Sequence, residues 1–318
     1  MTTPNLNTIR QILGLNIGKR FATYLPKSSD ILRKKTALWL DDYFFHILHD
    51  LDVKQFIECG ARDAFASTRF TQKPDCKAIA IEANPQTFAS ITKTAESNSV
   101  KILNYGIGKD DGEMDFHVPV SSPLAANASF RKREGEELIA HKIKVKCLDS
   151  ILNDEEINDD NFALWIDVEG MGGDVVTGGK KMLSLQHCVA VKIELETYPH
   201  FEGQDLSHTV DQKFADLGFS AVLCDFEYTS QFNVLYVKNS HLDKIDSTLQ
   251  LAFQAFPNLS VSWKETLFDP SQSFLSKRNV KGILLKVGGP KFEIFVHKIG
   301  AKLGSKQSEE YLKRITQS

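Results

Sequence analysis

From residue 54 onward the chain alternates short apolar runs with amphipathic stretches. The runs occupy residues 55–59, 78–81, 101–104, 163–168, 189–195, 220–223 and 233–237 and are bounded by Gly, Asn or Asp, which is the length and punctuation of buried strands. Between them, residues 66–70, 85–97 and 174–184 carry helical patterns. Strands alternating with helices predict βαβ units and a parallel sheet covered on both faces. The last two runs leave no room for a helix between them, so they are expected to form an antiparallel hairpin at the sheet edge. Residues 109–150 interrupt the rhythm: 114–118 and 142–147 read as short strands flanking a polar stretch, 120–139, too long for a turn and expected to be a mobile lid.

Helical patterns flank this region. Ile9, Ile12, Leu13 and Ile17 are helically spaced, Pro26 breaks the pattern, and a second apolar face runs over 38–51. Beyond Lys238 the chain again reads as helical, and Phe292, Ile294, Phe295, Ile299 and Leu303 form an apolar stripe among lysines. The expected organisation is a helical lead-in (1–52), an α/β domain (53–240) and a basic helical extension (241–318).

Composition is that of a globular protein, 42% hydrophobic and 25% charged. No apolar run approaches the roughly 18 residues of a spanning helix, and the amino terminus lacks the pattern of a signal peptide. The five cysteines are far apart with no C-x-x-C pair, so they are expected to be reduced and the protein cytoplasmic. Net charge is -3, yet residues 1–36 and 277–318 together carry +13 and the middle carries -16. A body this acidic repels a phosphate backbone, which argues against a nucleic-acid partner. The basic carboxyl stripe fits packing on the domain or on a second subunit, and alternatively contact with an anionic membrane surface or a lipid-linked substrate.

The chemistry concentrates at the ends of the runs. FIECGARDAFAS (56–67) is a strand ending in an acid, then Gly60 and small residues leading into a helix: a turn that brings backbone close to a ligand. About 20 residues on, AIAIEANP ends a second strand in Glu82, placed to accept hydrogen bonds from ribose hydroxyls. A dinucleotide site wants three glycines to seat a pyrophosphate, whereas Gly60 stands alone here, so an adenosyl ligand without phosphates fits better. Glu58 would repel a pyrophosphate and pair with an amino group. FALWIDVEGMGGDVVTGG (162–179) delivers Asp167 and Glu169 at the carboxyl end of a buried strand, where ligands bind in such sheets. One of the two acids could instead cap the next helix. Five parallel strands followed by an edge hairpin is the arrangement of class I methyltransferases, and other doubly wound folds share the pattern.

On the segments FIECGARDA, AIAIEANP, NYGIGKDDGEMDFHV, IKVKCLDSIL and LWIDVEGMGGDVVTGG, in that order, residues 56–238 resemble the FkbM-type S-adenosylmethionine-dependent methyltransferases. The resemblance implies a class I, Rossmann-like α/β fold, S-adenosyl-L-methionine as cofactor, and O-methylation of a hydroxyl on a sugar, glycan or natural product. Carried over, Glu58, Cys59, Gly60 and Ala61 form the cofactor turn. Glu82, with Ala83 and Asn84, binds ribose, Tyr105, Gly106 and Ile107 lie beside the adenine, and Asp167, also expected among the cofactor-binding residues, forms the D-x-E-G motif with Glu169 and Gly170. The chain departs from the family at Ala64, where many members have Gly, and at Gly172, where many have an acid. The general base is expected among Asp167, Glu169 and His200. Glu194 and Glu196 share a strand face and reach the site together or not at all. His117 and His141 flank the lid and read as surface residues. Asp167 and Glu169 could hold magnesium, but no dedicated cage is visible and no metal is expected. The alternatives are N- or carboxyl-methylation, or a cofactor-binding protein without turnover. A homo-oligomer is compatible with the sequence.

Overall fold

The computed structural model describes residues 30–252, apart from 96–98, 121–127, 133–136, 156, 158, 198, 226–230 and 250. The expectations on residues 1–29, on the apolar stripe of the carboxyl extension, and on most of 120–139 lie outside the described residues. In chain order the elements are α1 (Asp30–Asp50), β1 (Gln55–Cys59), α2 (Phe65–Phe70), β2 (Lys77–Ile81), α3 (Pro85–Ala95), β3 (Val100–Leu103), β4 (Gly106–Ile107), β5 (Gly112–Pro119) and β6 (Leu138–Lys146). They continue with α4 (Leu148–Asp154), β7 (Phe162–Ile166), α5 (Gly172–Gly178), α6 (Lys180–Ser184), β8 (Cys188–Glu196), α7 (Ser207–Asp216), β9 (Phe219–Cys224) and β10 (Gln231–Lys238), closed by a 3-10 turn at Asn239–Ile245.

Seven strands form one sheet in the order β3-β2-β1-β7-β8-β10-β9. The pairs β1–β2, β2–β3, β1–β7 and β7–β8 are parallel, and β10 runs antiparallel to both β8 and β9. The edge hairpin is therefore present, with β10 inserted inside and β9 on the outer edge. Strand order reverses between β1 and β7, which opens a crevice at their carboxyl ends. A second sheet, β4-β6-β5, joins β4 to the two strands of the interruption at 109–150.

The helices form where apolar faces need cover. On α1, Leu40, Phe44, Ile47 and Leu48 are buried, and the Phe44 ring sits 6.2 Å from Phe56 and 5.9 Å from Trp165. On α7, Phe214 stacks on Tyr236 of β10 at 4.2 Å. The single helical pattern at 174–184 is in fact two short helices, α5 and α6. A side chain at Gly178 would sit 2.5 Å from the Gly108 carbonyl, so this close approach demands glycines, and they weaken the helix there.

Candidate cofactor and acceptor site

The turn after β1 is built from alternating left-handed residues: Gly60 (φ 83), Arg62 (φ 45) and Ala64 (φ 53). Gly60 donates its N–H to the Ile81 carbonyl at 2.9 Å, and a Cβ there would overlap the Asp167 carbonyl oxygen. Only glycine lets β1 and β7 close at this point. Ala64, where the resembled family favours glycine, is in the conformation glycine prefers rather than inside a helix start. That strain is on the order of 1 kcal/mol, and the fully buried methyl group offsets it.

Glu58 is buried, and its Oε2 accepts the Ser67 N–H at 2.8 Å, tying the end of β1 to α2. Burial pushes its carboxyl up to about 7, against the pull of hydrogen bonds from Ser67 and Ala66. Cys59 and Ala61 are buried in the core, and burial also raises the Cys59 thiol. None of these three lines the cleft described next.

The cleft opens over the crevice and takes in about 740 Å³, counting the open solvent at its mouth. Glu82, at the end of β2, projects into it. Oε2 accepts the Arg62 N–H at 2.8 Å and Oε1 accepts the Asn84 N–H at 2.7 Å, so the carboxylate is fixed in orientation while each oxygen keeps a lone pair. Burial raises its pKa, opposed by those backbone donors. Asn84 caps α3: its Oδ1 accepts the Gln86 N–H at 3.0 Å, and its carbonyl accepts from Phe88 at 2.8 Å. Asn104 donates to the Glu82 carbonyl at 2.8 Å and so fixes the approach to Tyr105, Gly106 and Ile107 on the opposite wall. Phe116 of β5 and Phe130 add an aromatic rim, their centroids 4.8 Å apart in a T-shape. A carboxylate for a ribose, flat apolar walls for a purine and acids for a sulfonium suit an adenosyl cofactor.

At the far end lie the acids. Asp167 follows β7 and donates its N–H to the Cys59 carbonyl at 2.9 Å. The next turn carries Glu169 (φ 41) and Gly170 (φ 81), and Ser129 donates its hydroxyl to the Glu169 carbonyl at 2.6 Å. Glu194 of β8 comes from one position beyond the paired Ile166 and Ile193. Carboxylate oxygens of Asp167, Glu169 and Glu194 lie within 4.8 Å of one another, the one such group among the described residues. Their oxygens are the hard donors a divalent cation would accept, where the sequence led to no metal being expected. Burial raises the Glu194 carboxyl well above its usual value, with the charges of Asp167, Glu169 and Glu196 adding to it. Asp167 is also raised by burial, against the pull of Lys192 and Arg62. Lys192, paired with Trp165 in register, is buried with its ammonium 3.2 Å from that ring centroid and 2.7 Å from Asp41. A side chain at Gly172 would meet Ile193 at 3.2 Å, beside the Glu194 carbonyl, so the acid missing there would have been a neighbour of this cluster.

Of the residues singled out from sequence, Gly60, Glu82, Ala83, Asn84, Tyr105, Gly106, Ile107, Asp167 and Glu169 line one cleft. His200 does not: it lies in the loop after β8 and donates its backbone N–H to Gln204 at 2.6 Å. Arg62, Thr87, Phe116, Ala128, Phe130 and Val168 line the cleft without having been singled out. The alternation of Phe116 and Val118 with His117 was the available signal for Phe116, and nothing local marked Phe130.

A seven-stranded sheet of this order, with one reversed strand next to its edge and a cleft over the carboxyl ends of β1, β2 and β7, defines a class I methyltransferase. The chain belongs to the FkbM methyltransferase family: the profile described as methyltransferase FkbM domain matches residues 58–221, just over half of the chain. It is an S-adenosylmethionine-dependent methyltransferase. Comparison with curated proteins finds no match. Among solved structures, the chain is similar to the O-methyltransferase from Bacillus cereus in complex with SAH (10% identity, 75% of this chain and 92% of that one, TM-score 0.37). It is also similar to precorrin-6y C5,15-methyltransferase from Geobacter metallireducens (15%, 60% and 84%, 0.35) and to magnesium protoporphyrin IX methyltransferase from Synechocystis with bound SAM (9%, 74% and 98%, 0.35).

Proposed function

We propose that the protein methylates a hydroxyl group on a small polar acceptor, a sugar or a natural product, with one carboxylate of the Asp167, Glu169 and Glu194 group receiving the hydroxyl proton. Bound S-adenosylmethionine supplies a methyl group on a sulfonium, already a strong electrophile. The protein's task is then to orient the acceptor and take its proton. The observation that carries this reading is the group of three carboxylates within 4.8 Å at the cleft end. Like charges this close do not all ionise together, so desolvation and its neighbours raise the Glu194 carboxyl while an ionised carboxylate of the group accepts the proton. The acceptor oxygen forms a bond to the methyl carbon as the carbon–sulfur bond breaks, its proton passes to a carboxylate oxygen, and the thioether leaves. Glu82 and Asn84 hold the ribose end, and Phe116 and Phe130 flank the base.

The test is formation of S-adenosylhomocysteine over a panel of nucleotide-linked and free sugars, followed by Asp167→Asn and Glu194→Gln on the acceptor found. Asp167→Asn is expected to lower kcat by about 10² or more while cofactor affinity is kept. Preference for amines or carboxylic acids over hydroxyls, or full turnover in both variants, would refute the reading.

A further inference from the structure

A second groove lies beside the cofactor cleft, shares the Phe130 wall with it, and is lined by His117, Arg131, Lys132, Met171 and Asp174 among others. The residues flanking Phe130 are both tied down. On one side Ser129 is buried. Its backbone exchanges hydrogen bonds with His117 at 2.7 and 3.0 Å, and its hydroxyl donates to Glu169 and accepts the Arg131 N–H at 3.0 Å. On the other side the Arg131 guanidinium forks: Nη2 meets Asp174 Oδ2 at 2.5 Å, and Nη1 donates to the Glu202 carbonyl at 2.8 Å. Asp174 stands in the first turn of α5, the helix that follows the D-x-E-G turn. Between these two anchors the Phe130 ring lies so closely against the Gly106 backbone that a Cβ there would overlap the ring's Cζ. Neither Arg131 nor Asp174 lines the cofactor cleft.

Resting on the assignment of this cleft to the cofactor, we propose that Arg131 and Asp174 are positioning residues: their ion pair in the second groove holds Phe130 as a preformed wall over the cofactor. An aromatic side chain on an untethered segment must be ordered when ligand binds, and that cost reduces affinity. Anchoring the residues on both sides removes the cost in advance. The guanidinium is suited to this because its planar fork engages two partners at once, which a lysine cannot reproduce.

A double-mutant cycle read by calorimetry with S-adenosylhomocysteine tests the proposal. Phe130→Ala is expected to weaken binding about tenfold and Arg131→Met about fivefold, whereas Arg131→Met in the Phe130→Ala background adds no more than about twofold, since there is no ring left to position. Asp174→Asn should match Arg131→Met, and Arg131→Lys should recover part of the loss. A purely structural role would lower the melting temperature and leave the two effects on affinity multiplicative, and that result overturns the proposal. So does unchanged affinity in Arg131→Met. If Arg131→Met does not fold, Asp174→Asn takes its place in the cycle, with the same expected and overturning results. A wild-type protein that does not bind S-adenosylhomocysteine would instead refute the cofactor assignment on which the proposal stands.

Discussion

Replacing Glu82 by alanine separates the two tasks of its carboxylate. The side chain accepts from Arg62 and Asn84 on the protein side, and its remaining lone pairs face the cleft. Because the Glu82 backbone is held in place by Leu103 at 3.0 Å and Asn104 at 2.8 Å, the strand itself is expected to survive. Loss of the acceptor leaves two backbone donors to be rehydrated, a cost of about 1–3 kcal/mol in stability. Loss of charge-assisted hydrogen bonds to the ribose costs a further 1.5–3 kcal/mol or so in binding alone, about 10- to 150-fold in Kd. Thermal melts of the apoprotein report the first quantity, and calorimetry with S-adenosylhomocysteine reports the second. The 2′-deoxy form of that ligand should bind wild type more weakly, yet bind the Ala variant no worse than the parent ligand does. A folded Glu82→Ala protein with affinity within twofold of wild type, or one that still discriminates the deoxy ligand, would refute ribose binding at this carboxylate.

Three further outcomes follow from the geometry. Glu58 holds its proton up to about pH 7 in the native state, against 4.5 for the ordinary carboxyl, so the stability it contributes is complete below about 4.5 and is lost as pH rises through 7. Glu58→Gln should therefore gain on wild type by roughly 3 kcal/mol between about pH 4.5 and pH 8, and parallel urea-midpoint curves would contradict this. Gly60→Ala combines a left-handed φ with an overlap on the Asp167 carbonyl and should cost at least about 3 kcal/mol, so a soluble variant with an unchanged melting temperature would count against the described turn. Lys192→Met strands Asp41 and should destabilise by about 3–5 kcal/mol, with the Lys192→Met/Asp41→Asn pair more stable than the single variant; equal melting temperatures would show that the bridge matters little.

The central parallel strands β7 and β8 were legible because they are buried on both faces and read as long apolar runs, as Phe162–Ile166 does, while edge strand β3 keeps Lys101 exposed. Helices α4 and α7 were not, since Leu148–Asp154 is barely two turns and the polar surface of Ser207–Asp216 hides the few buried residues, Ser207, Val210 and Phe214, that hold it. The site residues that sequence could place are those on a strand end or tight turn, Gly60, Glu82 and Asp167, where chain topology alone fixes the address. Phe130 and Glu194 depend on distant contacts, Phe130 with Gly106 and Glu194 with Asp167, and no local pattern encodes such pairings. The same holds for Glu58. Its position in the turn was legible, but the partner its side chain chose, the Ser67 N–H, became visible only in three dimensions.

Lys192 has a consequence beyond packing. On neighbouring strands β7 and β8, the paired Trp165 and Lys192 precede Asp167 and Glu194 along the chain direction, so a buried cation lies one strand step behind the acids at the cleft end. The ammonium is balanced by Asp41 at 2.7 Å, so the acids leave this end of the cleft negative towards the mouth. A cationic centre entering this end of the cleft moves down the potential, while an anionic group beside the reacting atom moves up it. Charge on the incoming molecule is thus sorted before any hydrogen bond forms.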